Sequence, residues 1–343
     1  MTSEQQDNSV VWCEGLTKKY DEITALDHLD LSIPRGAIFG YIGHNGAGKT
    51  TTIRILAGLL KPSGGRASIC GVDVVKHRDK IKSLLGYMPD SFGVYDQMRV
   101  WEYLDFFGAA FKIPRRKRRE RLDYVLDITD AEYMRDRFVD TLSKGMKQRV
   151  GIARTLMHDP EVLLLDEPAN GLDPHARIQM RQLLRKLADG GKTLLVSSHI
   201  LPELAAICDY IGIIHQGVLR ACGPIESVLR DLRRDRLMEI KCLANPDAAR
   251  ENIQADPHSR KVETSELEKD VLRFRFTGDD EALADLLQAV NAAGARTAIL
   301  REVPLSLEDA YMAVSGIDDG EHENQDESPA PTNEKTTTDQ EPA

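Results

Sequence analysis

Aromatic residues make up only 6% of the 343-residue chain, and cysteines number five. Cys13, Cys70, Cys208, Cys222 and Cys242 are scattered, odd in number and never spaced as CxxC. That excludes a disulfide framework or a zinc knuckle and leaves reduced, mostly buried thiols. No apolar run approaches the roughly 18 to 20 residues of a membrane-spanning helix. The opening MTSEQQDNSV has neither the basic segment nor the apolar core of a signal peptide, so a soluble, cytoplasmic chain is expected. A basic excess is missing as well: 45 Lys+Arg face 55 Asp+Glu, for a net charge of −10. Residues 318–343 hold nine acidic residues and one lysine, which leaves the remainder near −2. A globally basic nucleic-acid binder is thereby excluded.

What is present is a chain long enough for two folded domains. Residues 10–13, 29–33 and 37–42 read as strands, the last ending in a glycine-rich turn. A helix pattern runs over 49–60 and stops at the KPSGG segment. Over 100–127 apolar residues recur three or four apart (Tyr103, Phe106, Phe107, Ala110, Phe111), as in a helical insert. Helices at 144–158, 175–188 and 201–208 then alternate with strands at 162–166, 193–197 and 211–214, which predicts a largely parallel, helix-covered sheet. After Gly223-Pro224 the pattern changes to half-exposed strands at 237–242 and 271–276 around a helix at 279–293. A domain boundary is expected there. Beyond 317 the segment is too poor in apolar residues to offset its ordering entropy and reads as disordered.

Gly43-His44-Asn45-Gly46-Ala47-Gly48-Lys49-Thr50 fits GxxxxGK[ST] between a strand and a helix. Glycines let backbone N–H groups turn inward around phosphates, and the helix start adds positive potential. Lys49 reaches the β and γ phosphates, and Thr50 offers a hydroxyl to Mg²⁺, with Thr51 beside it. The apolar strand Val162-Leu163-Leu164-Leu165 delivers Asp166 and Glu167 at its C-terminal end, where ligands sit in open α/β sheets. Asp166 would hold Mg²⁺ through water, and Glu167 would take a proton from the water attacking the γ phosphate. Ser143 is suited to cap the helix that follows it, but Lys144 and Lys147 in that first turn oppose the helix dipole and hint at an anion.

These residues resemble the nucleotide-binding subunits of ABC transporters over about 11–222. The resemblance implies that Leu142-Ser143-Lys144-Gly145-Met146 is the signature loop, Gly171-Leu172-Asp173 the D-loop, His199 the switch histidine and Tyr20 the aromatic that stacks on adenine. Lys144 and Met146 replace the usual Gly and Gln of the signature loop; Ser143 and Gly145 are kept. After Gly86-Tyr87-Met88-Pro89 the family usually has Gln, whereas Asp90 stands here. A carboxylate there would bind Mg²⁺ yet repel the γ phosphate, unless a basic group of a membrane partner pairs with it.

The implied fold class is α/β: a phosphate-loop ATPase domain with a mostly parallel sheet, a helical subdomain and antiparallel N-terminal strands, then a small α+β domain. The expected division is a lead at 1–9, the ATPase domain at 10–224 with its insert at about 95–145, an accessory domain at 225–316 and a tail at 317–343. The segment 304–311, with Ser306 as cap, resembles the closing helix of extensions in the drug- and lipid-exporter branch. The resemblance further implies ATP and Mg²⁺ as cofactors, a separate integral membrane permease as partner, and attachment to the cytoplasmic face through it. Two copies, or one copy and a related ATPase, would face head to tail. Each site would then join Lys49, Thr50, Asp166, Glu167 and His199 of one chain to Ser143 and Gly145 of the other. Nucleic acid is not an expected partner. The basic run at 115–121, worth +5, reads first as a solvated helix face and otherwise as a contact for lipid headgroups or the membrane partner.

Overall fold

Strand residues that point alternately to two buried faces need apolar side chains at every position, and the chain has several such runs. In the computed structural model, which describes residues 9–91, 93, 97–231, 236–264, 270–303, 307 and 310–312, these runs form the centre of the larger body. The polar lead at 1–8, the acidic tail and the expected cap Ser306 lie outside the described residues.

Strands β1 (Ser9–Tyr20) and β2 (Ile23–Pro34) form a long antiparallel hairpin, turning at Asp21 with φ 46°. Sequence periodicity marks only their most buried stretches, because register shifts interrupt the alternation between Cys13 and Lys19. Strand β3 (Ile38–Ile42) leads into helix α1 (Lys49–Leu56), which ends before Gly58, at φ 69°, rather than at residue 60. Strands β4 (Gly64–Ile69) and β5 (Val72–Asp73), helix α2 (Arg78–Leu84) and strand β6 (Leu85–Met88) follow.

The helical periodicity over 100–127 resolves into two helices, α3 (Val100–Ala110) and α4 (Arg115–Ile128), because Lys112 at φ 59° and Pro114 interrupt it. Then come α5 (Lys144–Leu156), β7 (Val162–Asp166), α6 (Pro174–Asp189), β8 (Thr193–Ser198), α7 (Leu201–Ala205), β9 (Tyr210–His215), β10 (Val218–Pro224) and α8 (Ile225–Asp231). The last body comprises β11 (Arg236–Cys242), α9 (Pro246–Ala255), β12 (Ser259–Thr264), β13 (Val271–Phe276), α10 (Asp280–Ala292) and β14 (Thr297–Glu302).

Three sheets result. β2-β1-β4-β5 is antiparallel; β10-β9-β3-β8-β7-β6 is parallel except for the edge strand β10; β12-β13-β11-β14 is antiparallel. In β7, Leu163 and Leu165 face the helical side and Val162 and Leu164 face the antiparallel sheet, so both faces of the central sheet are dry. The last sheet, in βαββαβ order, has a separate core of Met238, Ile240, Phe274, Phe276, Ile253 and Val290. Helix α8 lies beyond the boundary expected at 224, yet it buries Val228 in the core of the larger body, as does Leu307. The basic run on α4 is partly knit into the body: Arg118 forks onto Asp105, and Arg121 holds Asp159 and the Leu156 carbonyl. Arg115, Arg116, Lys117 and Arg119 stay exposed.

Candidate active site

Adjacent strands β3, β8 and β7 end at the same level, with Ile42 opposite Ser198 and Asp166 opposite Ser197. Their C-terminal ends carry the glycine loop, His199 and the Asp166-Glu167 pair, where an open parallel sheet offers a crevice. The loop is packed tightly from behind. A Cβ on Gly48, at φ 114°, would fall 2.8 Å from both the Ala25 carbonyl oxygen and Leu26 Cδ2, so no other residue fits without a shift. The Gly217 N–H donates to the Ala47 carbonyl at 2.9 Å, and the Asp27 N–H donates to the Gly217 carbonyl at 2.9 Å, which ties the loop to β2 and to the β9–β10 turn. Burial and the neighbouring His44 and Arg220 hold His215 below the ordinary imidazole range, so at neutral pH it sits uncharged beside His44, ring centres 5.0 Å apart.

The resulting cleft has a volume of about 440 Å³. Inside it the Lys49 ammonium donates to the carbonyls of Gly43 (2.5 Å) and His44 (3.3 Å) and lies 3.4 Å from Glu167 Oε1. Glu167 takes φ 51°, a left-handed conformation that costs a non-glycine residue about 1–2 kcal/mol. The β7–β8 register secures it: the Glu167 N–H donates to Ser197 Oγ at 3.0 Å, and Ser197 Oγ donates to Asp166 Oδ1 at 2.6 Å. His199 Nδ1 meets Glu167 Oε2 at 2.9 Å, so the carboxylate is held at both oxygens. Asn170 Nδ2 donates to Asp90 Oδ1 at 3.1 Å across the mouth.

A second cleft of about 260 Å³ opens between the starts of α5 and α6. Ser143 caps α5, accepting weakly from the Met146 N–H at 3.4 Å, and Asp173 caps α6, accepting from the Ala176 N–H at 2.9 Å. That backbone bond is the main reason the Asp173 carboxyl is held below its usual range. Lys144 extends over Gly171, where a Cβ would stand 2.3 Å from its Nζ. The two clefts have no lining residue in common.

The family described as ABC transporter matches residues 26–170. The chain is 33% identical over 305 residues to the Nod factor export ATP-binding protein I of Ralstonia nicotianae, covering 88% of this chain and 92% of that one. It belongs to the ABC transporter ATP-binding subunits. It is also 41% identical over 228 residues to the bacitracin transport ATP-binding protein of Bacillus licheniformis, covering 66% of this chain and 74% of that one. A solved ATP-binding subunit of an ABC transporter superposes with a TM-score of 0.59 at 29% identity, over 65% of this chain and 93% of that one. Membership makes the chain a nucleotide-binding ATPase of a transporter. No helix among the described residues is long and apolar enough to cross a membrane.

In this ABC ATPase the first cleft gathers His44, Asn45, Gly46, Gly48, Lys49, Thr50, Thr51, Asp90, Asp166, Glu167 and His199. Gly43 lines an adjoining cavity and Ala47 is fully buried. Ser143, Gly145 and Asp173 come together in the second cleft. Tyr20 lines neither; it stands at the hairpin tip, 44% exposed, with Lys18 Nζ 4.8 Å from its ring centre. Sequence reasoning missed Ala25 and Asn170. Ala25 reaches the cleft only through the packing of β2 behind the loop, which no local pattern encodes. Asn170, three residues after Glu167 on one turn, had a signal in that spacing.

Proposed function

We propose that the chain is the ATPase of an exporter, working as a head-to-tail pair beneath a separate membrane permease. The observation that carries this reading is the division of the site residues into two clefts that share no wall. Ser143 and Gly145 line the other cleft and not the one that holds Lys49, so in this reading a second ATPase chain supplies them to a phosphate bound at Lys49. The printed roles of the bacitracin and Nod factor relatives favour export.

Within each composite site the loop N–H groups and Lys49 bind the β and γ phosphates. The Glu167 carboxylate accepts the proton of the attacking water as its oxygen joins the γ phosphorus and ADP leaves, while His199 fixes the orientation of that carboxylate. Ser143 and Gly145 of the second chain close over the γ phosphate. The donor set fits magnesium. Asp166 is 2% exposed with one oxygen fixed by Ser197, Thr50 opens the helix beside it, and Asp90 stands across the cleft. Among the described residues no three carboxylate, imidazole or thiol groups converge, which suits an ion completed by substrate phosphates. When bound, the ion would neutralise phosphate charge. We assign the accessory domain to 236–302, since α8 and Leu307 pack with the ATPase core.

Mixing two inactive variants tests the pairing. Lys49→Ala removes the phosphate-binding cation and Ser143→Arg blocks the second cleft, so a heterodimer has one site built from two intact halves. Recovery of ATPase activity on mixing is expected; none, with heterodimers shown to form, refutes the shared site.

A further inference from the structure

The accessory sheet buries one face and leaves the other open. Alternation along β13 sends Leu272, Phe274 and Phe276 into the core with Ile253 and Val290 of the two helices, and Arg273 and Arg275 to the opposite side. The strand register sorts that open side into rows. In one row Glu263, Arg273, Glu239 and Arg301 stand side by side across β12, β13, β11 and β14, and their signs alternate. Glu239 holds both Arg273 and Arg301, so this row neutralises itself. The next row does not. Arg260 of β12 lies directly opposite Arg275 of β13, with Leu237 and then Val303 beyond them. Like charges in direct register destabilise an antiparallel pair. Among the described residues no carboxylate pairs with either guanidinium. The row therefore gains nothing from its own sheet and is fitted to an anion brought from elsewhere.

We propose that the Arg260–Arg275 row is the docking site of the chain's own acidic segment, residues 318–343. That segment has nine acidic residues against one lysine and is poor in apolar side chains, so charge is what it brings to a surface. It is also tethered close by. Leu307 is four residues beyond Val303 and Met312 five beyond that, which puts Met312 within about 32 Å of the end of β14. A stretch as long as 318–343 extends to about 90 Å, enough to cover that gap and the sheet. Single surface ion pairs are weak, but a tether holds the partner at millimolar effective concentration, where several weak pairs suffice. The basic run on α4 is a poorer match: Arg118 and Arg121 already hold Asp105 and Asp159, and Arg116 lies 3.6 Å from Glu120. Any other anion that reaches the accessory sheet then competes with the acidic segment for the same two arginines.

The test is amide NMR of the full-length chain, read on the signals of residues 318–343. Raising the salt from about 0.1 to 1 M shortens the screening length from about 10 to 3 Å and should move those signals as the segment is released. At the lower salt the double variant Arg260→Thr, Arg275→Thr should reproduce at least about half of that movement, while Arg116→Ala with Arg119→Ala on α4 should leave the signals within about a tenth of it. Threonine keeps the strand preference at both sheet positions; if the double variant does not fold, Arg275→Thr alone carries the comparison with a smaller shift. Signals that ignore the sheet variant, or that answer to the α4 variant instead, would overturn the proposal. Sedimentation with vesicles of three parts phosphatidylcholine to one part phosphatidylglycerol covers the remaining alternative. Loss of vesicle binding in the sheet variant, with the signals of 318–343 unmoved, would make the row a lipid contact and refute the docking of the segment.

Discussion

Replacing Glu167 with Gln preserves side-chain shape and the left-handed backbone and removes one charge. In the nucleotide-free chain that charge faces Lys49 Nζ at 3.4 Å, with the two side chains 12% and 6% exposed. At an effective dielectric near 20 the attraction is about 5 kcal/mol. Lys49 keeps the carbonyls of Gly43 and His44, and a buried carboxylate no longer has to be desolvated. The net loss is therefore about 2 kcal/mol. For a body of this size that lowers the melting temperature by about 4–8 °C. With ATP the sign reverses, because the carboxylate that stabilised Lys49 now repels the γ phosphate. The ATP-induced rise in melting temperature should thus be larger in the variant than in the parent. Hydrolysis, stripped of its base, should fall by ~100-fold or more, about 2.7 kcal/mol of barrier. Thermal melts with and without Mg-ATP, beside a phosphate-release assay, measure both effects. Equal ATP-induced shifts together with a parental rate would refute the argument.

Gly48→Ala should weaken ATP binding by more than about tenfold, read by titration with a fluorescent nucleotide, because the Cβ meets the Ala25 carbonyl at 2.8 Å in a backbone at φ 114°. In the accessory sheet, burial pushes the Glu239 carboxyl up, but Arg273 (2.9 Å) and Arg301 clamp it and the outcome is a lowered value. Its stabilisation is then complete above the unfolded value near 4.3 and is lost as pH falls through the lower folded value. Glu239→Gln should therefore destabilise more at pH 7 than at pH 3 in urea melts; an equal effect at both would contradict the clamp. Asp90→Gln should raise the basal ATPase rate at low Mg²⁺, where the extra carboxylate is least neutralised. An unchanged basal rate with weaker stimulation by the reconstituted permease would point to a partner's basic group instead.

The glycine loop, the Asp166-Glu167 strand end and the Ser143 cap were legible because each is a local pattern whose residue types state their own geometry. Three things were not. The helical periodicity over 100–127 does not show where one helix stops and the next begins, because the break lies at a left-handed Lys112 and at Pro114, which apolar spacing does not register. The short strands β4, β5, β6 and β10 are too brief, or too mixed in polarity, for alternation to show. Ala25 reaches the cleft only through the packing of β2 behind the glycine loop, which sequence distance hides, and Asn170 through a turn whose three-residue spacing from Glu167 went unread.

Strands β11 and β14 lie side by side and antiparallel, with Met238 opposite Glu302 and Arg236 bonded to Glu302 at 3.1 Å. The accessory body is therefore entered and left through one doorway. A module whose two ends meet can be excised and bridged by a short linker without pulling its host apart, as inserted domains in general can. In evolutionary terms it is a cartridge: a lineage could exchange it for another, or lose it, while Leu307 and Tyr311 stayed seated on the ATPase.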